Sequence, residues 1–412
     1  MFKDKYLDMR KIITDQDVLK LFEVVENHGG VLRFVGGAVR DALAGRQGFD
    51  LDLATDMSPD ELVEACEENN IKTIPIGIKY GTVGVIINDK VLEVTSLRKD
   101  IKTDGRHAEV EFTTDWNEDA SRRDLTINAV YADEKGNVFD YYNGIEDLEK
   151  GIVRFIGNPA HRIQEDYLRI LRFFRFYSIF GKGEIDAKAL VACRDNQAGL
   201  KKVSIERIRD ELAKIMVTPN VIKTMKIMID NDILGYILPP APHFNCLERL
   251  IKLVRKESLD ESALRRLFIL YLPDEQLAEN FANRLKLSKK YKDMFISWAR
   301  YNPDISSFID KDILRKLLYE FGREFCYHRF ILKCAETGIV PTEFHEILNN
   351  IASLPIAVFP IKGRDLINAG VEDNRKIGQM LKILEHIWIE SGFIMGRDDL
   401  LAQIHHDLKK AL

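Results

Sequence analysis

Hydrophobic and polar positions change their rhythm near residue 157. From Val31 to about Asp140, short β-branched runs (VLRFVGG, YGTVGVII, VLEVTSL, NAVYAD) are broken by Gly, Asn or Asp, which is the pattern of strands. One helical stretch, SPDELVEACEENN, interrupts them. Its Ser58, Pro59 and Glu61 stand where an N-cap, a first helical residue and a capping-box partner belong. After Gly157-Asn158-Pro159, apolar positions recur at helical spacing to the end. The pattern predicts helices over Gln164–Phe180, Ile205–Met216, Phe244–Lys256, Glu261–Tyr271, Lys311–Tyr319 and Asn374–Glu390. Breaks fall at Pro219, Pro239-Pro240, Pro273, Pro303 and Pro355 to Pro360. No repeat of fixed period is visible. The expected class is α+β, a mixed-sheet domain followed by an all-helical remainder.

At 412 residues, 46% hydrophobic and 30% charged, the chain has material for two to four cores. A net charge of −5 gives no support to indiscriminate nucleic-acid binding but leaves room for a local basic surface. The five cysteines (Cys66, Cys193, Cys246, Cys326, Cys334) form no C-x-x-C pair, which argues against a zinc ribbon or disulfide framework and for a reducing compartment. The opening MFKDKYLDMRK has no apolar signal core, and no uncharged run is long enough to span a bilayer. A cytoplasmic protein with no membrane partner is expected; oligomeric state is not legible.

Candidate chemistry begins in RFVGGAVRDALAGRQGFDLDLATD. Asp50 and Asp52 are two apart in a strand-like run, so both carboxylates project to one face while Leu51 and Leu53 turn to the core. Paired hard oxygens suit Mg²⁺, which keeps positions for water and phosphate. A bare D-x-D more often marks a solvated strand face. Here, however, Gly36-Gly37 follows a short strand and opens a predicted helix, with Arg40 one turn in. Glycines there permit close backbone approach to a phosphate.

Gly-Gly-x-Val-Arg-Asp followed by Asp-x-Asp resembles the first motif of the class II tRNA nucleotidyltransferase and bacterial poly(A) polymerase family, within the DNA polymerase beta superfamily. Further motifs agree. HRIQEDYLRILRFFRFYSIFG is similar to the family's Glu-Asp-x-x-Arg element, here Glu165, Asp166 and Arg169. On a continuous helix Asp166 and Arg169 would be surface neighbours. Together they offer an acceptor and a fork of donors, which match the amine and ring nitrogen of cytosine and adenine and mismatch guanine and uracil. Glu165–Arg169 stitching of an exposed helix is the plainer alternative. Arg172 would meet triphosphate oxygens or fix the template, and Arg175 has the character of a solvated charge.

The resemblance extends to SRRDLTINAVYA, which implies that Arg123 and Asp124 meet the nucleotide's ribose and phosphate, with Asn128 adding an amide contact. It extends to GIEDLEKGIVRFIG, where Gly144 and Gly151 suggest turns at a hinge, and to SIERIRDEL, where Arg207 and Glu211 are expected to pair at i and i+4. Glu93, after a strand, is a candidate third metal ligand. Arg98, Asp100, Asp104, Gly105, Arg106 and His107 resemble the family's flexible loop, associated with the switch from CTP to ATP; its presence favours complete CCA addition. Basic clusters at Lys252, Arg255 and Lys256, and at Arg284, Lys286, Lys289, Lys290 and Lys292, are either phosphate contacts or solvated helix faces.

The resemblance implies template-independent addition of C, C and A to the tRNA 3′ end from CTP and ATP, with two magnesium ions as cofactor and release of pyrophosphate. It implies a polymerase beta-like nucleotidyltransferase head (1–150), a helical neck that reads the base (151–217), a helical body (218–300) and a helical tail that binds tRNA (301–412). The alternatives are a poly(A) polymerase, an enzyme adding only A or only CC, and a non-catalytic RNA-binding protein; the complete D-x-D opposes the last.

Overall fold

The computed structural model describes residues 15–46, 51–104, 107–235, 237–238, 241–371 and 373–408. The chain divides into two compact units, Met1–Pro240 and Ala241–Leu412.

The first unit is organised by a sheet. Its strands are β1 (Leu32–Val35), β2 (Asp52–Thr55), β3 (Lys72–Gly77), β4 (Thr82–Ile87) and β5 (Lys90–Ser96), with β8 (Val130–Ala132) and β9 (Val138–Asp140) after a separate hairpin of β6 (Arg98–Asp104) and β7 (His107–Phe112). The order across the sheet is β3-β4-β5-β2-β1-β8-β9. Neighbours run antiparallel except β2 and β5, which are parallel. Asp52 therefore opens the central strand, and Leu53, Ala54 and Thr55 behind it are all buried.

Period-two alternation gives the sheet two different faces. Leu53, Val83, Val85, Leu92 and Val94 are buried on one. There α1 (Gln16–Asn27) contributes Val18, Leu21, Phe22 and Val25 at helical spacing, with Phe22 and Phe34 rings 5.2 Å apart. After β1, α2 (Gly37–Leu43) follows the glycine turn. The helix α3 (Pro59–Glu68) begins at the expected capping box of Ser58 and Glu61 and packs on β3 and β4. On the other face, a cluster of Val35, Ala54, Leu97, Trp116, Ala120 and Tyr131 gathers around β1, β2 and β8, with Trp116 and Ala120 supplied by α4 (Trp116–Ser121).

The helices α5 (Gly144–Lys150), α6 (Pro159–Glu165), α7 (Arg169–Phe180), α8 (Ala187–Asn196), α9 (Ile205–Met216) and α10 (Val221–Asp230) complete this unit. The expected helix over Gln164–Phe180 is in fact two. Asp166 caps α6 in an extended conformation (φ −152°, ψ 107°), and α7 starts three residues later. Apolar spacing runs through both pieces, so periodicity could not reveal the break. Gly151 ends α5 at φ 67°, as a turn glycine does. Gly144 is different: it starts α5 pressed against the backbone of Thr126, and an added Cβ would collide with the Thr126 carbonyl oxygen.

The described residues of the second unit are helical, without strands. The expected helices Phe244–Lys256 and Asn374–Glu390 appear with those limits, and the helix from Lys311 runs to Thr337 with a non-helical residue at Gly322. Its interior is aromatic: Phe268 meets Phe295 and Trp298 edge-on, and Trp388 anchors a second cluster with Leu366, Leu384 and Leu400. Among the described residues, no helix is long and apolar enough to cross a membrane. All five cysteines are free and buried.

Gly144→Ala is expected to lower stability by about 1–3 kcal/mol through overpacking. Gly183→Ala, where nothing lies within 4 Å of the new methyl, should change it by less than about 0.5 kcal/mol. Urea denaturation of both variants checks the contrast.

Candidate active site

A cavity of about 510 Å³ opens in the first unit where β1, β2, α7 and α9 approach one another. Its floor is the glycine turn. Gly36 adopts φ 62° and ψ −115°, a conformation that a side chain resists. A Cβ on Gly36 would stand 3.3 Å from Arg123 Nη1, and one on Gly37 would stand 3.7 Å from Arg40 Nη2 and 3.9 Å from Asp52 Oδ2. The two glycines, Arg40, Arg123 and Asp52 thus share one small volume, as the sequence motif implied. Asp50 lies outside the described residues, as do Gly105 and Arg106.

Among the described residues, seven arginines line this cavity (Arg40, Arg122, Arg123, Arg169, Arg172, Arg175 and Arg207) against three aspartates (Asp52, Asp124 and Asp166). Carboxylates behind the wall hold the guanidiniums in place. Asp119, 1% exposed, binds Arg122 at 2.6 Å, Arg123 at 3.1 Å and the Tyr131 hydroxyl at 2.7 Å. Asp124, also buried, accepts from Arg172 Nε at 2.7 Å and from Asn128 Nδ2 at 2.9 Å. Arg40 in turn donates to Asn128 Oδ1 at 2.5 Å and pairs with Asp41 at 2.8 Å. Burial pushes both aspartates' carboxyls up, but the neighbouring guanidiniums win. Asp119 is held at about 2 by Arg123, Arg122 and Tyr131, and Asp124 lies well below the usual carboxylate range because of Arg172 and Asn128. Phe176 completes the wall, with the guanidiniums of Arg175, Arg40 and Arg172 at 4.6, 4.8 and 5.5 Å from its ring centroid.

Three expectations need correction here. Asp166 and Arg169 both line the cavity, yet they are not neighbours on one helix. Asp166 pairs with Arg207 at 2.7 Å, while Arg169 bonds Glu165 and donates to the Arg162 carbonyl at 2.9 Å. Arg207 is consequently not the partner of Glu211, which binds Arg175 and Lys214 instead. Arg175 is therefore a largely buried wall residue and not a solvated charge. Local spacing suggested partners that the tertiary fold replaced.

Glu93 lies inside β5, not after it, and pairs in parallel register with Asp52. Paired residues of neighbouring strands share a face, so these two exposed carboxylates stand side by side. Among the described residues, no group of three His, Cys, Asp or Glu side chains is placed to hold a metal ion. The segment expected as a loop is the β6–β7 hairpin, in which Asp100 stands opposite Val110 and Asp104 opposite His107. Arg98 anchors its base by donating to the Tyr80 carbonyl.

Sequence reasoning passed over Asp119, Arg122 and Tyr131. The EDASRRD stretch does place Asp119 three and four residues before the two arginines, a helical ion-pair spacing that was available as a signal. In the basic stretches of the second unit, Lys252 pairs with Glu248, Lys290 with Glu324 and Lys292 with Glu279.

Comparison with known proteins adds the family context. Residues 32–154 match the Poly A polymerase head domain, and residues 184–244 match a probable RNA and SrmB-binding site of polymerase A. The mitochondrial CCA tRNA nucleotidyltransferase 1 of Homo sapiens is 36% identical over 92% of this chain and 87% of its own length. The CCA-adding enzyme of Streptococcus sanguinis is 31% identical over 91% and 93%. The crystal structure of the Bacillus stearothermophilus CCA-adding enzyme in complex with CTP superposes with a TM-score of 0.78 at 26% identity, covering 96% of this chain and 99% of that one.

Asp119→Asn removes the charge behind Arg122 and Arg123 and should cost about 2 kcal/mol at neutral pH, from a carboxyl held at about 2 against an ordinary 3.8. A depressed folded value means that the stabilisation is complete above 3.8 and is lost as pH falls toward 2. The stability gap between wild type and variant should therefore narrow from pH 7 to pH 3 in urea titrations. A gap that stays constant would rule out the charge as its source.

Proposed function

Because the chain belongs to the family of CCA-adding tRNA nucleotidyltransferases, we propose that it adds C, C and A in turn to the 3′ end of tRNA. The tRNA 3′-hydroxyl attacks the α-phosphorus of CTP, twice, and then of ATP; the bond to the bridging oxygen breaks and pyrophosphate leaves. The observation that carries this reading is the arginine-walled cavity whose floor joins Gly36-Gly37 to Asp52. A triphosphate brings up to four negative charges, and this wall supplies fixed guanidiniums with donors already oriented.

Arg40, Arg123 and Arg172 line the phosphate region beside glycines that let the backbone approach. Asp124 holds Arg172, Asn128 holds Arg40 and Asp119 holds Arg123, with Asp124 and Asn128 bordering the ribose position. Asp166 and Arg169 face the base, each fixed by its own ion pair, so an incorrect base leaves buried polar groups unmatched. Family membership implies use of a divalent metal. Asp52 and Glu93, side by side on neighbouring strands, offer hard oxygens of the kind Mg²⁺ takes, and the sequence adds Asp50 as a candidate third ligand; the ion when bound would activate the hydroxyl and stabilise the leaving pyrophosphate. The residues around Arg98, Asp100, Asp104, Gly105 and Arg106 serve the change from CTP to ATP. In this reading the head spans 1–150, the neck 151–217, the body 218–300 and the tail 301–412, with tRNA held by the last two. Five buried free thiols suit the reducing cytoplasm.

Transcripts ending at the discriminator base, at C and at CC test the proposal when offered CTP and ATP. Addition of the missing residues and no more is expected; long adenylate tails with CTP ignored would identify a poly(A) polymerase instead. Asp52→Ala should abolish incorporation, by about 10³-fold or more, while tRNA binding persists. Asp166→Ala should raise incorporation of UTP and GTP relative to CTP and ATP, and unchanged discrimination would remove the base-reading role.

A further inference from the structure

Among the described residues, the second face of the sheet is covered on only one half. Around β1, β2 and β8 it is closed by Trp116, Tyr131 and their cluster. Across β5, β4 and β3 it carries apolar side chains in the open: Val91 is 49% exposed, Ile76 45% and Ile74 37%. Strand register places this apolar ground beside the carboxylates. Asp52 pairs with Glu93, Glu93 with Gly84, and Gly84 with Ile74, forming one row across four strands. At about 4.8 Å per strand, Ile74 lies roughly 14 Å from Asp52.

Gly84 makes the surface a shelf. Ile74 and Ile76 fold down over it, and a Cβ there would meet Ile76 Cδ1 at 2.6 Å and Ile74 Cγ1 at 2.7 Å. A side chain at this position would lift both isoleucines into a ridge. With glycine they lie flat, which is the shape that suits the face of a nucleobase.

Reaction geometry says which substrate belongs there. The arginine cavity reaches Asp52 from the β1 side and holds the triphosphate in the reading above. In-line displacement requires the attacking oxygen to enter opposite the departing pyrophosphate. The direction opposite the cavity, past Asp52 and Glu93, leads onto β4 and β3. We propose that the Ile74–Ile76–Val91 shelf seats the 3′-terminal nucleotides of the RNA acceptor and so positions the attacking hydroxyl. The inference rests on the nucleotidyl-transfer reading and adds to it the surface on the nucleophile's side. Contacts of this kind are sequence-tolerant, because every base has an apolar face. That tolerance is needed if the terminus is the discriminator base in one step and cytidine in the next two.

The test uses the full-length protein, Mg²⁺, ATP and a transcript ending in CC. Ile74→Ser/Ile76→Ser alters exposed positions and should reduce the rate at saturating ATP about tenfold, with ATP affinity unchanged. Ile74→Val/Ile76→Val should keep the wild-type rate. Independently of any substitution, a transcript with a 3′-terminal 4-thiouridine should photocrosslink to the wild-type protein within residues 72–95. A wild-type rate in the serine variant overturns the proposal, and so do crosslinks confined outside that segment. A wild-type dimer that the serine changes disperse without loss of rate does so too, by making a second copy the occupant of the shelf. Wild-type incorporation is measured first on the same transcripts. Its absence defeats the transfer reading together with the shelf, whereas an active wild type with an unimpaired serine variant defeats the shelf alone.

Discussion

Mutual repulsion among seven guanidiniums is the constraint around which the first unit is built. Side chains so crowded would swing into water unless carboxylates behind them fixed each one. Asp119 and Asp124 do this from buried positions, while Asp166, Glu165, Glu211 and Asp41 complete the set from the edges. The arrangement leaves oriented guanidinium donors facing inward and few rotamers to freeze when an anion arrives. Guanidinium donors are thereby concentrated in one cavity of a chain whose net charge is −5. An acidic average discourages loose attachment to nucleic acid, and a local excess of guanidinium attracts a polyphosphate all the same.

What could be read in the sequence was what depends on neighbours along the chain. The capping box of Ser58 and Glu61, the glycine turn before α2, and the helices Ile205–Met216 and Phe244–Lys256 are governed by spacing of three or four residues, and they appear with the expected limits. The partners of Asp166, Arg207 and Arg175 could not be read this way. Each pairs across 36 or more residues, and nothing in helical periodicity distinguishes Arg207–Glu211 from the Arg207–Asp166 pair that forms. The β6–β7 hairpin was obscured for another reason. Asp104-Gly105 is a hairpin signal, but charged residues at alternate positions on both sides hid the strand pattern around it.

Placement of Glu93 illustrates an intermediate case. Its type suggested a ligand, and its local context suggested the end of a strand. The parallel pairing of β5 with β2 sets it beside Asp52, and that pairing joins strands separated by α3, β3 and β4. A short sequence window can identify such a carboxylate but not its companion. Only the strand order does so.

The extended residue at Asp166 interrupts what would otherwise be a lever. On an unbroken helix, any shift of Phe173 or Phe174 in the core would be carried rigidly to the carboxylate about two turns away. With the rod cut, α7 can settle against a changed core while Arg207 keeps its hold on Asp166. Substitutions in the aromatic interior then move Arg169, the first residue of α7, without carrying the Asp166 carboxylate rigidly with it. The tie between Asp166 and Arg207 is thereby insulated from drift in that packing.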